Sequence, residues 1–424
     1  MAKKYKIKRY RRIYRSNRNS RVTAGGVILA ALGLLAVAFI GWSVYGPVSD
    51  FISGRLSAGP SSSSASESER EEETPSSAPD GSQPEQTPEP AGTDFRNLRA
   101  AYLPAAFLAD ETALQSTLER LQAKGINAVV YDAKDAVGQV LYASGNERVA
   151  AAEAMAAAPY NLEKVSSLLK KNGFTGIARV YAFKDHTASR TLVEAGVKYM
   201  DTDWLWLDNS REAGGRSWLN PYSELARMYV ADVALECVEK GADAVMLDGV
   251  HFPTGLGLEL ASYGSGSASK TRQEVLSGFV EDTRELVEEN GGELIVSASG
   301  SAMLLANAAE YPDSPLKFPA DIFAPDVTPA SFGLGVESGT LTLADPVLSP
   351  YDTVYSVAKR ITAGKTESKV FLPFIQAYST PDYGRAYTET DVEEQLRALK
   401  DLGISGYILY DPSGAYDLVP VLDQ

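Results

Sequence analysis

The chain has 424 residues, 44% of them hydrophobic and 22% charged, enough to bury a large core. Ten Lys and Arg fall between residues 3 and 21 with no acid among them, so the formal net charge of −15 becomes −25 for everything that follows. That acidity excludes nucleic acid as the partner of the main domain, because phosphate binding needs a cationic surface.

Residues 1–21 read as a basic cytoplasmic tail that sets topology; binding of anionic lipid or nucleic acid there is the alternative. Residues 22–48 carry no charged side chain, and about 20 apolar helical residues span a bilayer, so this segment is expected to be a transmembrane signal anchor. Lys and Arg crowd its N-terminal side and Asp50 follows it, which places the N-terminus inside and the rest of the chain outside. Trp42 and Tyr45 suit the outer aromatic belt. A cleaved signal peptide is the rival, but W-S-V-Y-G-P-V offers no small-x-small cleavage site. Residues 49–94 are rich in Ser, Pro and Glu and too poor in apolar residues to offset the entropy of ordering, so a disordered linker is expected. The single cysteine, Cys237, lies in a helical run and forms no internal disulfide.

From residue 95 to 424 short apolar runs alternate with helical stretches, the pattern of parallel βαβ units. Eight strands are predicted, over 99–103, 126–135, 177–185, 244–252, 294–299, 321–327, 370–378 and 406–412. Helical patterns lie between them, and E-T-A-L-Q-S-T-L-E-R-L-Q-A-K-G and T-E-T-D-V-E-E-Q-L-R-A-L-K-D-L-G each close on a glycine, as helix C-termini commonly do. Eight strands in this length suit an α/β fold of the (β/α)8, or TIM, type. A doubly wound open sheet is the alternative, although no G-x-G-x-x-G opens a helix near its start.

The active site of such a barrel lies at the C-terminal ends of its strands. Acids stand at most of them: Asp132 and Asp135 with Lys134 on strand two, Asp185 with Lys184 and His186 on strand three, Asp248 and His251 on strand four, Asp326 on strand six and Asp411 on strand eight. Singly, such charges often only cap the next loop. Asp248 is the sharpest candidate, because M-L-D-G-V-H-F-P carries a carboxylate into the apolar end of a strand, where isolation is costly. Strand alternation puts Asp248 and His251 on opposite faces unless Gly249 permits a bulge or the strand has ended. The two histidines, His186 and His251, lack ligand spacing, so no metal is expected, and no cofactor motif is present. No G-x-S-x-G marks a serine nucleophile. Aromatic residues near the strand ends, including Trp218, Phe374, Tyr378 and Tyr410, suit the apolar faces of sugar rings.

These blocks together resemble a family of bacterial envelope proteins within the glycosidase barrels, long catalogued as a domain of unknown function. I-N-A-V-V-Y-D-A-K-D-A-V-G-Q-V-L-Y looks like its second-strand block and I-A-R-V-Y-A-F-K-D like its third. A-D-A-V-M-L-D-G-V-H-F-P is similar to its fourth and puts Asp248 on the acidic position, while L-P-F-I-Q-A-Y, Gln395 and G-I-S-G-Y-I-L-Y-D-P match the closing segment. The chain departs from the family where S-A-D is usual after strand five: it has Ser297, Ala298 and Ser299. The arginine of the fourth block is His251, and the sixth block reads A-P-D-V-T-P-A-S-F, losing a Tyr and a His and gaining Asp326.

The resemblance implies a glycoside hydrolase of envelope or extracellular polysaccharide, held at the membrane by residues 22–48. Two carboxyl groups are then needed, with Asp248 as the principal one and Asp326 or Asp132 as its partner. Asp185, Lys134, Lys184, His251, Trp218, Phe374, Gln376, Tyr378, Tyr410 and Asp411 are expected to bind the sugar. Two other readings stay open: a barrel that binds or organises carbohydrate without cutting it, motivated by Ser299, and a deacetylase-like metal enzyme. The sequence leaves the oligomeric state open.

Overall fold

A computed structural model describes residues 93–422 apart from 305–309, 339–340, 364–367 and 384. Contacts divide the chain into two units, 1–87 and 88–424, and the described residues all belong to the second. The expected tail, the expected transmembrane segment at 22–48 and the expected linker as far as residue 92 lie outside the described residues. Among the described residues no helix is long and apolar enough to cross a membrane.

Eight strands run parallel: β1 (Arg99–Leu103), β2 (Ala128–Lys134), β3 (Thr175–Tyr181), β4 (Ala244–Asp248), β5 (Glu293–Ser299), β6 (Ile322–Asp326), β7 (Phe374–Gln376) and β8 (Tyr407–Tyr410). Each pairs with the next, and β1 pairs with both β2 and β8, so the sheet closes into a barrel and the open-sheet alternative is set aside. Six helices of ten residues or more lie among the described residues: α1 (Glu111–Ala123), α2 (Leu162–Lys171), α3 (Glu224–Glu239), α4 (Arg272–Glu289), α5 (Pro350–Thr362) and α6 (Glu389–Asp401).

The period of two along each strand divides the core in two. Val130, Ile177, Met246, Ile295, Ile322 and Ile408 fill the barrel interior as one cluster. Their neighbours Val129, Ala178, Val245, Val296, Phe323 and Leu409 face outward and pack with helix residues such as Leu118, Val233, Phe279 and Val357. Each such side chain fully buried contributes about 1.5–3 kcal/mol, which holds the helices on the strands. The helix starts are fixed by side chains that satisfy free amides: Asp110 accepts from the amides of Thr112 and Ala113, and Thr271 with Glu274 forms a reciprocal cap on α4. Cys237 is a buried free thiol in α3.

The third, fourth and seventh strands depart most from their expected spans. Strand three stops at Tyr181, because Asp185 caps a short helix, His186–Thr191, by accepting from the amide of Ala188. Strand four stops at Asp248, where Gly249 takes φ +65°, a left-handed conformation that suits glycine. The seventh breaks into Val370–Phe371 and β7, since Pro373 has no amide hydrogen to donate to a ladder.

Candidate active site

The interior file of side chains turns polar at the C-terminal ends of the strands. Arg179 on β3 stands at its centre, with its side chain nearly all buried. A buried guanidinium is costly without partners, and here it has several. Its Nε donates to Asp132 Oδ1 at 2.6 Å, and its Nη1 lies 3.9 Å from Asp248 Oδ2. Its plane also covers the rings of Tyr102 and Tyr181, 4.9 and 5.1 Å from their centroids. Burial works most strongly against the guanidinium's charge, but Asp132, Tyr181 and Asp248 together outweigh it, and the pKa stands well above its ordinary value.

Register explains the grouping. Asp132 is paired with Arg179 across β2 and β3, Tyr181 with Asp248 across β3 and β4, and Ser299 with Asp326 across β5 and β6. Arg179, Tyr181, Asp248, Ser297, Asp326, Phe374 and Tyr410 line a cavity of about 150 Å³ at the barrel mouth. Six consecutive strands therefore contribute to it.

The two carboxylates in the lining are held differently. Asp248 Oδ1 accepts from the amide of Gly249 at 2.7 Å, and its other oxygen faces Arg179. Asp326 Oδ1 accepts from the amide and hydroxyl of Thr328, at 3.0 and 2.6 Å, which leaves Oδ2 without a hydrogen bond among the described residues. Burial raises the Asp326 pKa, the two Thr328 bonds oppose the rise, and the Asp248 charge adds to it. Asp326 is therefore shifted toward its protonated form, and Asp248 lies beside a cation. One carboxyl shifted toward its acid form next to one that is charge-paired is the arrangement from which acid and base roles arise.

An aromatic wall closes one side. Tyr410 lies with its centroid 5.1 Å from that of Tyr102, 6.0 Å from that of Tyr378 and 6.2 Å from that of Phe374. Burial pushes Tyr378 up to about 12, so the phenol is a neutral donor.

The other expected residues are placed elsewhere. Both oxygens of Asp132 are taken, one by Arg179 and one by the hydroxyl of Tyr102 at 2.8 Å, so it anchors the arginine. Lys134 and Asp185 form a fully buried pair at 2.9 Å, with Lys134 also donating to the carbonyl of Tyr181 at 2.6 Å; neither lines the cavity. Gln376 is consumed by structure: its Oε1 accepts from the amide of Ala330, its Nε2 donates to the carbonyl of Tyr378, and its backbone exchanges two bonds with Gln395 of α6. Asp411 accepts from the amide and hydroxyl of Ser413 and so closes a turn. His251 packs between Trp218 and Tyr311, with Nδ1 2.8 Å from the carbonyl of Phe252 and 3.7 Å from Glu310. The Lys184 ammonium lies over Trp218, 5.8 Å from its centroid. This layer borders the mouth without lining it.

Arg179, Tyr181 and Tyr102 escape the sequence reading. A charged residue in the middle of I-A-R-V-Y, in phase with inward-facing Ile177, is the signal that points to the first. No group of three or more His, Cys, Asp or Glu that would hold a metal occurs among the described residues.

A family model described as "putative glycosyl hydrolase domain" matches residues 100–416. Among solved structures, the chain is similar to the glycoside hydrolase domain of PgaB (BpsB) from Bordetella bronchiseptica, with 14% identity over 77% of this chain and 99% of that one, at a TM-score of 0.54. That likeness shows the fold. The chain is also similar to a hypothetical protein from Ruminiclostridium thermocellum ATCC 27405, with 29% identity over 46% of this chain and 96% of that one, at a TM-score of 0.41. No curated protein matches.

Proposed function

We propose, from the premise that this chain belongs to that glycosyl hydrolase family, that it hydrolyses a polysaccharide of the cell envelope or its surroundings at the barrel mouth. The observation that carries the reading is the pair of unlike carboxyl groups in one cavity: Asp326, whose proton is favoured by burial, and Asp248, beside Arg179. Asp326 acts as the general acid that protonates the leaving oxygen, and Asp248 as the nucleophile or base. Asp326 also answers the departure on strand five. The family resemblance puts an acid at the position of Ser299, and Asp326 is the register partner of Ser299 on the next strand. Asp326 thus stands one strand over from that position, at the same height in the barrel. Tyr410, Phe374 and Tyr378 supply faces for the sugar ring.

A second reading keeps the cleft without the chemistry. Ser299 spends its hydroxyl on Ser301 at 3.1 Å and on the amide of Ala302 at 3.2 Å, where the family has an acid, and this supports a barrel that only holds its glycan. One experiment separates the two. The full chain is incubated with purified wall and capsule glycans and new reducing ends are counted, with Asp248→Asn as the comparison. Hydrolysis that falls at least about 100-fold in Asp248→Asn supports catalysis. Equal rates in both chains remove Asp248 from the mechanism, and binding without turnover by both selects the second reading.

The sequence of residues 22–48 supports anchorage in the membrane with the barrel outside the cell. The glycan would then be one that lies close to the outer membrane surface.

A further inference from the structure

A second hollow, larger than the cavity at the mouth, lies elsewhere. It has a volume of about 910 Å³ and lies in the long connection between β3 and α3, and its lining contains no carboxylate. Because that connection leaves the C-terminal end of β3, the hollow opens on the same end of the barrel as the mouth. Its walls include Tyr199 and Trp204, with His186, Arg190, Arg211 and Ser217.

Three features are unusual in a chain this acidic. Trp204 is 77% exposed, although the turn that carries it is well fixed: the amide of Tyr199 donates to the carbonyl of Trp204 at 2.8 Å. An indole held in place and left in water forgoes stabilisation that burial would give, which marks exposed aromatics as binding surfaces. Secondly, Arg190 and Arg211 are exposed and have no acidic partner among the described residues. No acid of the same connection, the neighbouring Glu212 included, forms an ion pair with them among the described residues. Glu194 pairs with Lys198, Asp208 accepts from the amide of Arg216 and the indole of Trp218, and Asp201 and Asp203 do not line the hollow. Thirdly, His186 Nδ1 accepts from the amide of Ser217 at 3.0 Å, so the neutral ring carries its proton on Nε2 as a donor. Burial lowers the His186 pKa first, Arg190 and Arg216 lower it further, and Asp208 and Asp185 act against them.

We propose that this hollow is a subsite for a saccharide bearing an acidic group, a uronate carboxylate or a phosphate ester, with its ring against Trp204 and Tyr199 and its anion between Arg190 and Arg211. A planar guanidinium suits either anion, and the aromatic faces suit the sugar carbons. The inference rests on the hydrolase reading only for its use, since it names the class of glycan that the mouth would receive; the binding stands by itself.

The test titrates the full chain with three probes, a hexamer of galacturonate, a phosphorylated oligomannoside and neutral chitohexaose, and follows the heat of binding. The result expected is binding of one or both anionic probes at least about tenfold tighter than the neutral one, weakened by salt. Trp204→Ala and the double change Arg190→Ala, Arg211→Ala each lower that affinity about fivefold or more, and both alter only exposed side chains, so the fold is retained. Which anionic probe binds distinguishes carboxylate from phosphate. Equal affinity for the neutral probe, no binding of either anionic probe, or full affinity in Trp204→Ala overturns the proposal. Failure of hydrolysis with binding intact counts against the hydrolase reading alone.

Discussion

At the scale of single residues, Asp326 carries the most direct physical consequence. Its carboxyl is raised above the ordinary carboxylate value, by burial first and by Asp248 in addition, so the folded chain keeps a proton that the unfolded chain has released. Between the ordinary value and the raised one the folded state binds more protons, and stability falls as pH rises through that window. Above the raised value the cost is complete. Asp326→Asn removes the charge but keeps an oxygen for Thr328. The variant is therefore expected to melt about 2–4 °C higher than the parent at pH 7 and to show no gain below pH 3, while hydrolysis is lost. Melting curves at the two pH values check this, and a lower melting point at pH 7 would count against a strained acid. Asp248 and Asp326 were legible because each is an acid ending an apolar strand. Arg179 was not, because its importance arises from strand pairing: only when β1, β2, β3 and β4 lie side by side do Tyr102, Asp132 and Asp248 surround it. The same pairing reveals that both oxygens of Asp132 are occupied. An acid within an apolar run is visible in a sequence, and partners across strands are not.

At the scale of elements, all eight strands were legible from their apolar runs, and their ends were not. Asp185 shows why. At the end of an apolar run it resembles a site acid, yet it caps the short helix His186–Thr191 and pairs with Lys134 in full burial. The pair ties β2 to the start of the connection that carries the Trp204 hollow. Gly138 lies against it: its φ is +100°, and a Cβ there would overlap the Asp185 carboxylate. Gly138→Ala thus meets both backbone strain and displacement of a buried ion pair. It is expected to destabilise the barrel by about 2–4 kcal/mol in urea unfolding. The loss should be accompanied by weaker binding in the hollow, since His186 is the first residue of the capped helix. A change below about 0.5 kcal/mol would mean that the connection yields freely and that the pair does not fix it. The two glutamines give the contrasting lesson: the Gln395 side chain of α6 accepts from the amide and donates to the carbonyl of Gln376 on β7, so a polar residue at a strand end serves the wall of the barrel and not its mouth.

At the scale of the whole molecule, the sequence divides sharply where the barrel begins. The expectation for residues 1–94 is a basic tail, an apolar anchor and a linker, and their composition supports all three. A linker of about 45 residues that behaves as a random coil has a root-mean-square reach of about 35–40 Å. A barrel held on it would sample mostly glycans within about that distance of the membrane. The arrangement predicts a specific fractionation. The chain should sediment with membranes and resist extraction by alkaline carbonate, because an apolar helix of about 20 residues inserts far more firmly than a charged surface contact. Protease added outside intact cells should cut within residues 49–94 and release the barrel whole, because exposed, polar segments are cleaved before packed ones. Deletion of residues 22–48 should leave the barrel inside the cell. Recovery of the intact chain in the soluble cytoplasmic fraction would remove the anchor, and with it the reason to look for the glycan near the membrane. Hydrolysis in the mouth and binding in the Trp204 hollow would still be testable on the same chain, since both rest on residues within the barrel unit.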